Sequence, residues 1–152
     1  HLEIVDSSLE RASRVVSQLQ ELHRRSEAEE KQLADLNDLV EGMLLLAGKQ
    51  ARSAGVEVSW ERAEGLPALP VMVDGMQQVF LNLVLNALEA MPDGGHLDVR
   101  IRRTHKPFKT TKAQGSGLGL FISQNIVHQH GGSIEVESKE GQGTRFTVWL
   151  PE

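Results

Sequence analysis

With 152 residues, 39% of them apolar, the chain can form one compact domain and one further element. A net charge of −5 argues against nucleic acid as the main partner, because phosphate-backbone binding needs clustered Lys and Arg. The absence of cysteine excludes disulfides and thiolate metal sites and suits a cytoplasmic protein. No apolar run is long enough to span a bilayer and no signal peptide is legible, while a start at His1 reads as part of something longer.

Leu2, Val5, Leu9, Ala12, Val16 and Leu19 alternate spacings of three and four, the heptad seam of a helix over about residues 2–28. So narrow a seam suits pairing with another helix better than packing on a sheet. A charged connector at 27–31 follows. Asp35 can cap a second helix with Leu36, Leu39, Val40, Met43, Leu44 and Ala47 on one face, ending near Gly55. Val56, Val58 and Trp60 alternate as a strand, 66–70 is a loop, and 71–73 is a short strand.

Asp74 with Gln77 resembles a capping box for a helix at 75–91, stopped by Pro92-Asp-Gly-Gly95. Leu97, Val99 and Ile101 predict another strand, and a third helix spans about 118–130, closed by Gly131-Gly132. His128 and His130 flank its end and read as exposed surface residues, with no carboxylate or thiol beside them to complete a metal site. Ile134 and Val136 belong to one strand, Phe146, Val148 and Leu150 to the next, joined as a hairpin through 139–143. The fold class is α+β: an N-terminal helix (1–30), then a two-layer α/β sandwich (35–152) with mostly antiparallel strands.

Two features carry chemistry. Gly115-Ser-Gly-Leu-Gly119 opens the third helix and follows Lys109-Thr-Thr-Lys112. Glycines admit a ligand close to the backbone, the helix start offers free N–H groups and a positive dipole end, and the threonines and Lys112 add hydroxyls and a cation. These suit a phosphate. On the helix at 75–91, Gln78, Asn82 and Asn86 recur every four residues within a run so apolar that it must be largely buried. Buried amides need partners, so these either satisfy nearby backbone or line a cavity. Their carbonyl oxygens are suitable hard ligands for hydrated Mg²⁺.

Gln78-Val-Phe-Leu-Asn82-Leu-Val-Leu-Asn86-Ala-Leu-Glu-Ala90 resembles the asparagine box of sensor histidine kinases. Lys106-Pro-Phe108 with Thr110-Thr-Lys112 is similar to their phenylalanine box, and Gly115-Ser-Gly-Leu-Gly119-Leu to their second glycine box. The resemblance, closest to the nitrogen-regulator-like kinases, covers about 35–152, and the first helix resembles the second helix of their dimerisation and phosphotransfer hairpin. It implies the Bergerat-type ATP-binding fold shared with DNA gyrase, Hsp90 and MutL, and the cofactors ATP and Mg²⁺. Asn82 and Asn86 would hold Mg²⁺ and phosphates, and Gln78 would assist phosphoryl transfer. Phe108 would belong to a lid, while Thr111, Lys112, Gly115, Gly117, Leu118 and Gly119 would face the nucleotide. The implied partners are a response regulator receiver domain and a second copy of the chain, with a parent protein either free or attached to a membrane. Alternatives are a degenerate, non-catalytic binding module and a gyrase- or MutL-type ATPase.

The sequence departs from the family pattern twice. The acidic glycine box, whose Asp accepts the adenine amino group, is missing together with its strand. Arg103-Thr-His-Lys106 runs straight to the phenylalanine box, and no Asp or Glu occurs between Arg100 and Gly131. None of the six histidines has the context of a phosphoacceptor, so the chain by itself is expected not to autophosphorylate.

Overall fold

A computed structural model describes residues 13–14, 16–17, 30–104 and 118–152. The chain divides into two compact units, His1–Glu30 and Lys31–Glu152. In the first, residues 13–14 and 16–17 are helical, and Val16 of the heptad seam is 52% exposed.

The second unit contains β1 (Gln32–Ala34), α1 (Leu36–Ser53), β2 (Val56–Glu61), β3 (Leu69–Val71), α2 (Val73–Glu89), β4 (Gly95–Arg100), α3 (Leu118–Gln129), β5 (Ser133–Lys139) and β6 (Gly143–Trp149). Asp35 caps α1 as its sequence position predicts, accepting from the Asn37 N–H at 2.8 Å. Buried Leu36, Val40, Met43, Ala47 and Ala51 form the inward stripe of α1. Its first turn is tied down by an amide clamp. Asn37 Nδ2 donates to the Ala63 carbonyl (2.9 Å), and the Ala63 N–H donates to Asn37 Oδ1 (3.0 Å). The side chain thereby mimics a paired strand and satisfies its own burial.

The strands pair as three ladders. β1 and β3 are antiparallel, β2 and β4 parallel, β5 and β6 antiparallel. Parallel neighbours require a crossover, which α2 provides between β2 and β4. The β2–β4 ladder starts beside the Gly95 N–H, which donates to the Gly55 carbonyl at 3.3 Å. Period-two alternation then separates two faces. Val56, Val58, Trp60, Leu97 and Val99 share one, while Glu57, Ser59, Glu61, His96, Asp98 and Arg100 share the other. On the apolar side Ala47, Ala51, Val56, Val84 and Leu88 form a core cluster, with Leu44, Ala54, Met91 and Leu97 packed against it. The helices α1, α2 and α3 and these ladders make a two-layer α/β sandwich.

Three local expectations change. The ladder partner β1 lies just beyond the charged connector, where no strand is predicted. Its three residues are too few to show periodicity. Second, β3 ends at Val71 and α2 begins at Val73, with Met72 as an extended N-cap lacking any side-chain cap bond. Asp74 therefore sits in the first turn, where its charge complements the helix dipole, and the N-cap expected at Asp74 falls at Met72 instead. Third, His130 is buried at 7% exposure, whereas His128 is exposed as expected.

Candidate functional site

The site is built from the middle of α2 and the start of α3. These helices pack side by side, with Met76, Val79, Ile122 and Val127 each at most 1% exposed. Into this dry seam Asn82 inserts a polar group. Its Nδ2 donates to the hydroxyl of Ser123, which is fully buried, at 3.4 Å, and approaches the Gly119 carbonyl at 3.5 Å. A Cβ on Gly119 would lie 3.9 Å from the Asn82 Cγ, so the asparagine carboxamide touches the last glycine of the glycine-rich loop. Residues 37 apart in sequence thus meet at one place.

With the amide nitrogen turned to α3, the Asn82 carbonyl oxygen points elsewhere about the same Cγ. It is the hard atom of the pair, and the one a cation takes. Asn86 is half-buried one turn further along the same helix face. Gln78 is half-buried one turn back on that face. The two helices run antiparallel: the start of α2 meets the end of α3 at Met72 and His130, and Asn82 meets the start of α3. The step from Asn82 to Asn86 therefore leads past the α3 N-terminus.

The α3 N-terminus carries the electrostatics. No acidic residue lies in its first turn, and its first backbone N–H groups, which have no partner within the helix, concentrate positive potential there. A triphosphate with its metal fits this donor set: amide oxygens for the cation, backbone N–H groups for the anion. Among the described residues no group of three His, Asp or Glu side chains could hold a metal, so amide, water and phosphate oxygens would complete the shell.

Of the sequence-predicted residues, Asn82 and Gly119 are brought together directly, and Gln78 and Asn86 share the Asn82 face. Leu118 is the first residue of α3. Phe108, Thr111, Lys112, Gly115 and Gly117 lie outside the described residues. Sequence reasoning missed Ser123, the hydroxyl partner of Asn82. Its signal was present: a serine four residues beyond Gly119, on one helix face, in the middle of Leu120, Ile122 and Ile126.

Comparison with known proteins gives the family and the fold. Residues 72–152 match the model of the family described as histidine kinase-, DNA gyrase B-, and HSP90-like ATPase. The sensor histidine kinase ZraS of Escherichia coli (strain K12) is 34% identical over 172 residues, taking in 98% of this chain and 37% of the relative. Sporulation kinase E of Bacillus subtilis (strain 168) is 34% identical over 130 residues, 70% of this chain and 18% of the relative. The chain thus spans well under half the length of these relatives. The ZraS alignment is also longer than the 152-residue chain, so at least 20 of its positions have no counterpart here.

Among solved structures, the cytoplasmic segment of histidine kinase QseC has a TM-score of 0.68 at 24% identity, covering 94% of each chain. Histidine kinase ThkA in complex with response regulator protein TrrA has a TM-score of 0.72 at 22% identity, covering 97% of this chain and 49% of that one. These likenesses establish the fold. Among the described residues no helix is long and apolar enough to cross a membrane. From the matched domain, the kinase relatives and the meeting of Asn82 with Gly119, the chain belongs to the histidine kinase-, DNA gyrase B- and HSP90-like ATPase family, as a catalytic domain of the sensor histidine kinase type.

Proposed function

We propose that this chain is the ATP-binding catalytic region of a two-component sensor histidine kinase, serving transfer of the ATP γ-phosphoryl group to a histidine outside residues 1–152. The meeting of Asn82 with Gly119, which joins the asparagine stripe to the glycine loop, carries the proposal. Asn82 and Asn86 are assigned to Mg²⁺ and the phosphates, and Gln78 to a supporting role in transfer. Phe108 is assigned to a lid, and Thr111, Lys112, Gly115, Gly117, Leu118 and Gly119 to the nucleotide. The metal supplies charge neutralisation on the phosphates; positioning is the contribution of the side chains and the α3 N-terminus. We assign the receiver domain of a response regulator as protein partner, a second copy through the heptad helix, and a cytoplasmic location.

A second reading, a degenerate module that no longer turns over ATP, draws support from the missing acidic glycine box and the shortfall of at least 20 aligned positions. We place the shortfall between Thr104 and His105, where the family pattern has its adenine-binding Asp. Losing a charged hydrogen-bond partner costs about 1.5–3 kcal/mol, or about tenfold to a hundredfold in affinity. Calorimetric titration of the verified 152-residue chain with Mg-ATP and Mg-GTP tests both readings. Weak binding with little preference between the two is expected. Tight, adenine-selective binding defeats the account of the lost segment, and no binding of either favours the degenerate module.

A further inference from the structure

We infer that His130 is a positioning residue for the nucleotide site, holding α2 and α3 in register so that Asn82 can exchange partners without the helices slipping. This rests on the assignment of Asn82 and Gly119 to that site. The ring is buried, and both of its nitrogens are engaged. Nε2 accepts from the backbone N–H of Met72 at 2.9 Å. It therefore carries a lone pair, and the proton sits on Nδ1, which donates to the Ile126 carbonyl at 2.7 Å. The imidazole is neutral, in one tautomer, and joins two backbones.

The places it joins matter. Met72 is the N-cap of α2 and has no side-chain cap of its own. Ile126 is in the last turn of α3, where carbonyls lack helical partners. His130 thus links the start of one helix to the end of its antiparallel neighbour. Ten residues beyond Met72 along α2, about 15 Å by the helix rise per residue, the same helices are linked again by Asn82 with Ser123 and Gly119.

The two links differ in strength. Those at His130 are short and buried. Those at Asn82 are 3.4 and 3.5 Å, at the weak limit of hydrogen bonding. A ligand arriving at Asn82 competes with the weak link and leaves the strong one. Met76 and Val79 lie between the two links along α2, so the seam is clamped at the end of α2 remote from the ligand.

The test compares the full chain with His130→Phe, which keeps a ring but removes both hydrogen bonds, and His130→Gln, which can restore an acceptor and a donor. Amide hydrogen exchange is read at Met72 and at Ile122, Ser123 and Gln124, the first amides of α3 that close helical bonds. In His130→Phe all four are expected to exchange about tenfold faster, while α1 and β2 stay unchanged. Mg-ATP should bind correspondingly more weakly, and His130→Gln should recover part of both effects. Faster exchange confined to Met72 and the last turn of α3 overturns the inference. Uniform acceleration that includes α1 and β2 also overturns it, because that is only lost stability. If His130→Phe does not fold, the same pattern in His130→Gln decides. An unaltered chain that binds no Mg-ATP defeats the nucleotide reading, while the exchange pattern still decides whether His130 holds residues 122–124.

Discussion

Asn82 and Asn37 show the same side chain used in opposite ways. Asn37 spends its donor and its acceptor on Ala63 and is finished as a structural clamp. Among the described residues Asn82 makes two long contacts, both through its nitrogen. Asn37→Ala should lower stability by about 1–3 kcal/mol, because it strands the N–H and carbonyl of Ala63. Chemical denaturation checks this as a shifted midpoint with an unchanged slope.

Two glycines should respond with opposite signs. A Cβ at Gly132 would lie 2.1 Å from the Trp149 carbonyl oxygen and 2.9 Å from a Val127 methyl, so Gly132→Ala should cost about 1–3 kcal/mol or more. Gly42 is inside α1 with nothing within 4 Å of a new Cβ, so Gly42→Ala should add about 0.5–1 kcal/mol. Thermal unfolding of both variants measures the difference. The asparagine stripe was legible in the sequence because its period is that of the helix it interrupts. His130 was not, because its partner Met72 is 58 residues away. A lone histidine after a helix looks the same whether it is solvated or clamped.

At the scale of elements, helices and the terminal hairpin were legible, since long periodic runs and turn glycines specify them locally. The short strands were less so: β1 was not predicted, and β3 spans Leu69–Val71 where a strand over 71–73 was expected. β1 and β3 are three residues each, and their positions follow from mutual pairing rather than from their own pattern. The outer face of the β2–β4 ladder carries a charge network that sequence alone did not suggest. Ser59 donates to Asp98 at 2.9 Å and also lies 3.2 Å from His96 Nε2, while Arg100 pairs with Asp98 and reaches Glu61.

The hydrogen bond from Arg100, and after it that from Ser59, holds the Asp98 carboxyl below the usual carboxylate range. A carboxyl whose pKa is lower in the folded state adds stability above its unfolded pKa and loses it as pH falls through the folded one. The unaltered chain should therefore exceed Asp98→Asn in stability at neutral pH, with the gap closing as acid carries the solution below that lowered value. Denaturation series from pH 7 downwards measure it. The network is exposed, so the gap should also shrink with added salt.

At the scale of the whole molecule, the family and the layer architecture were legible from three boxes in order, while the arrangement of ladders was not. Among the described residues β4 pairs only with β2 and β6 only with β5. Arg103, just beyond β4, nevertheless forms an ion pair with Glu152, beyond β6, through Nε at 2.5 Å from Oε1. Their ends are thus near one another without a shared ladder. The heptad helix makes a separate claim. Val16, the described residue of the predicted seam, is exposed, and a heptad seam of Leu and Val calls for a partner. Sedimentation should find the unaltered chain dimeric and Leu9→Asp shifted to monomer. An unaltered chain that is already monomeric would refute the pairing role.

The parallel joining of β2 to β4 also dictates an order of assembly. Ser59 and Asp98 face each other across 39 residues of chain, whereas the β5–β6 hairpin closes between Lys139 and Gly143. Loop closure makes the hairpin fast and the parallel ladder slow, with α2 needed before β2 finds its neighbour. During synthesis β2 emerges first and waits, its edge unpaired, until α2 and β4 have followed. Its alternation of Glu57, Ser59 and Glu61 with apolar residues then has a second use, since charges on a waiting strand discourage it from pairing with another nascent chain.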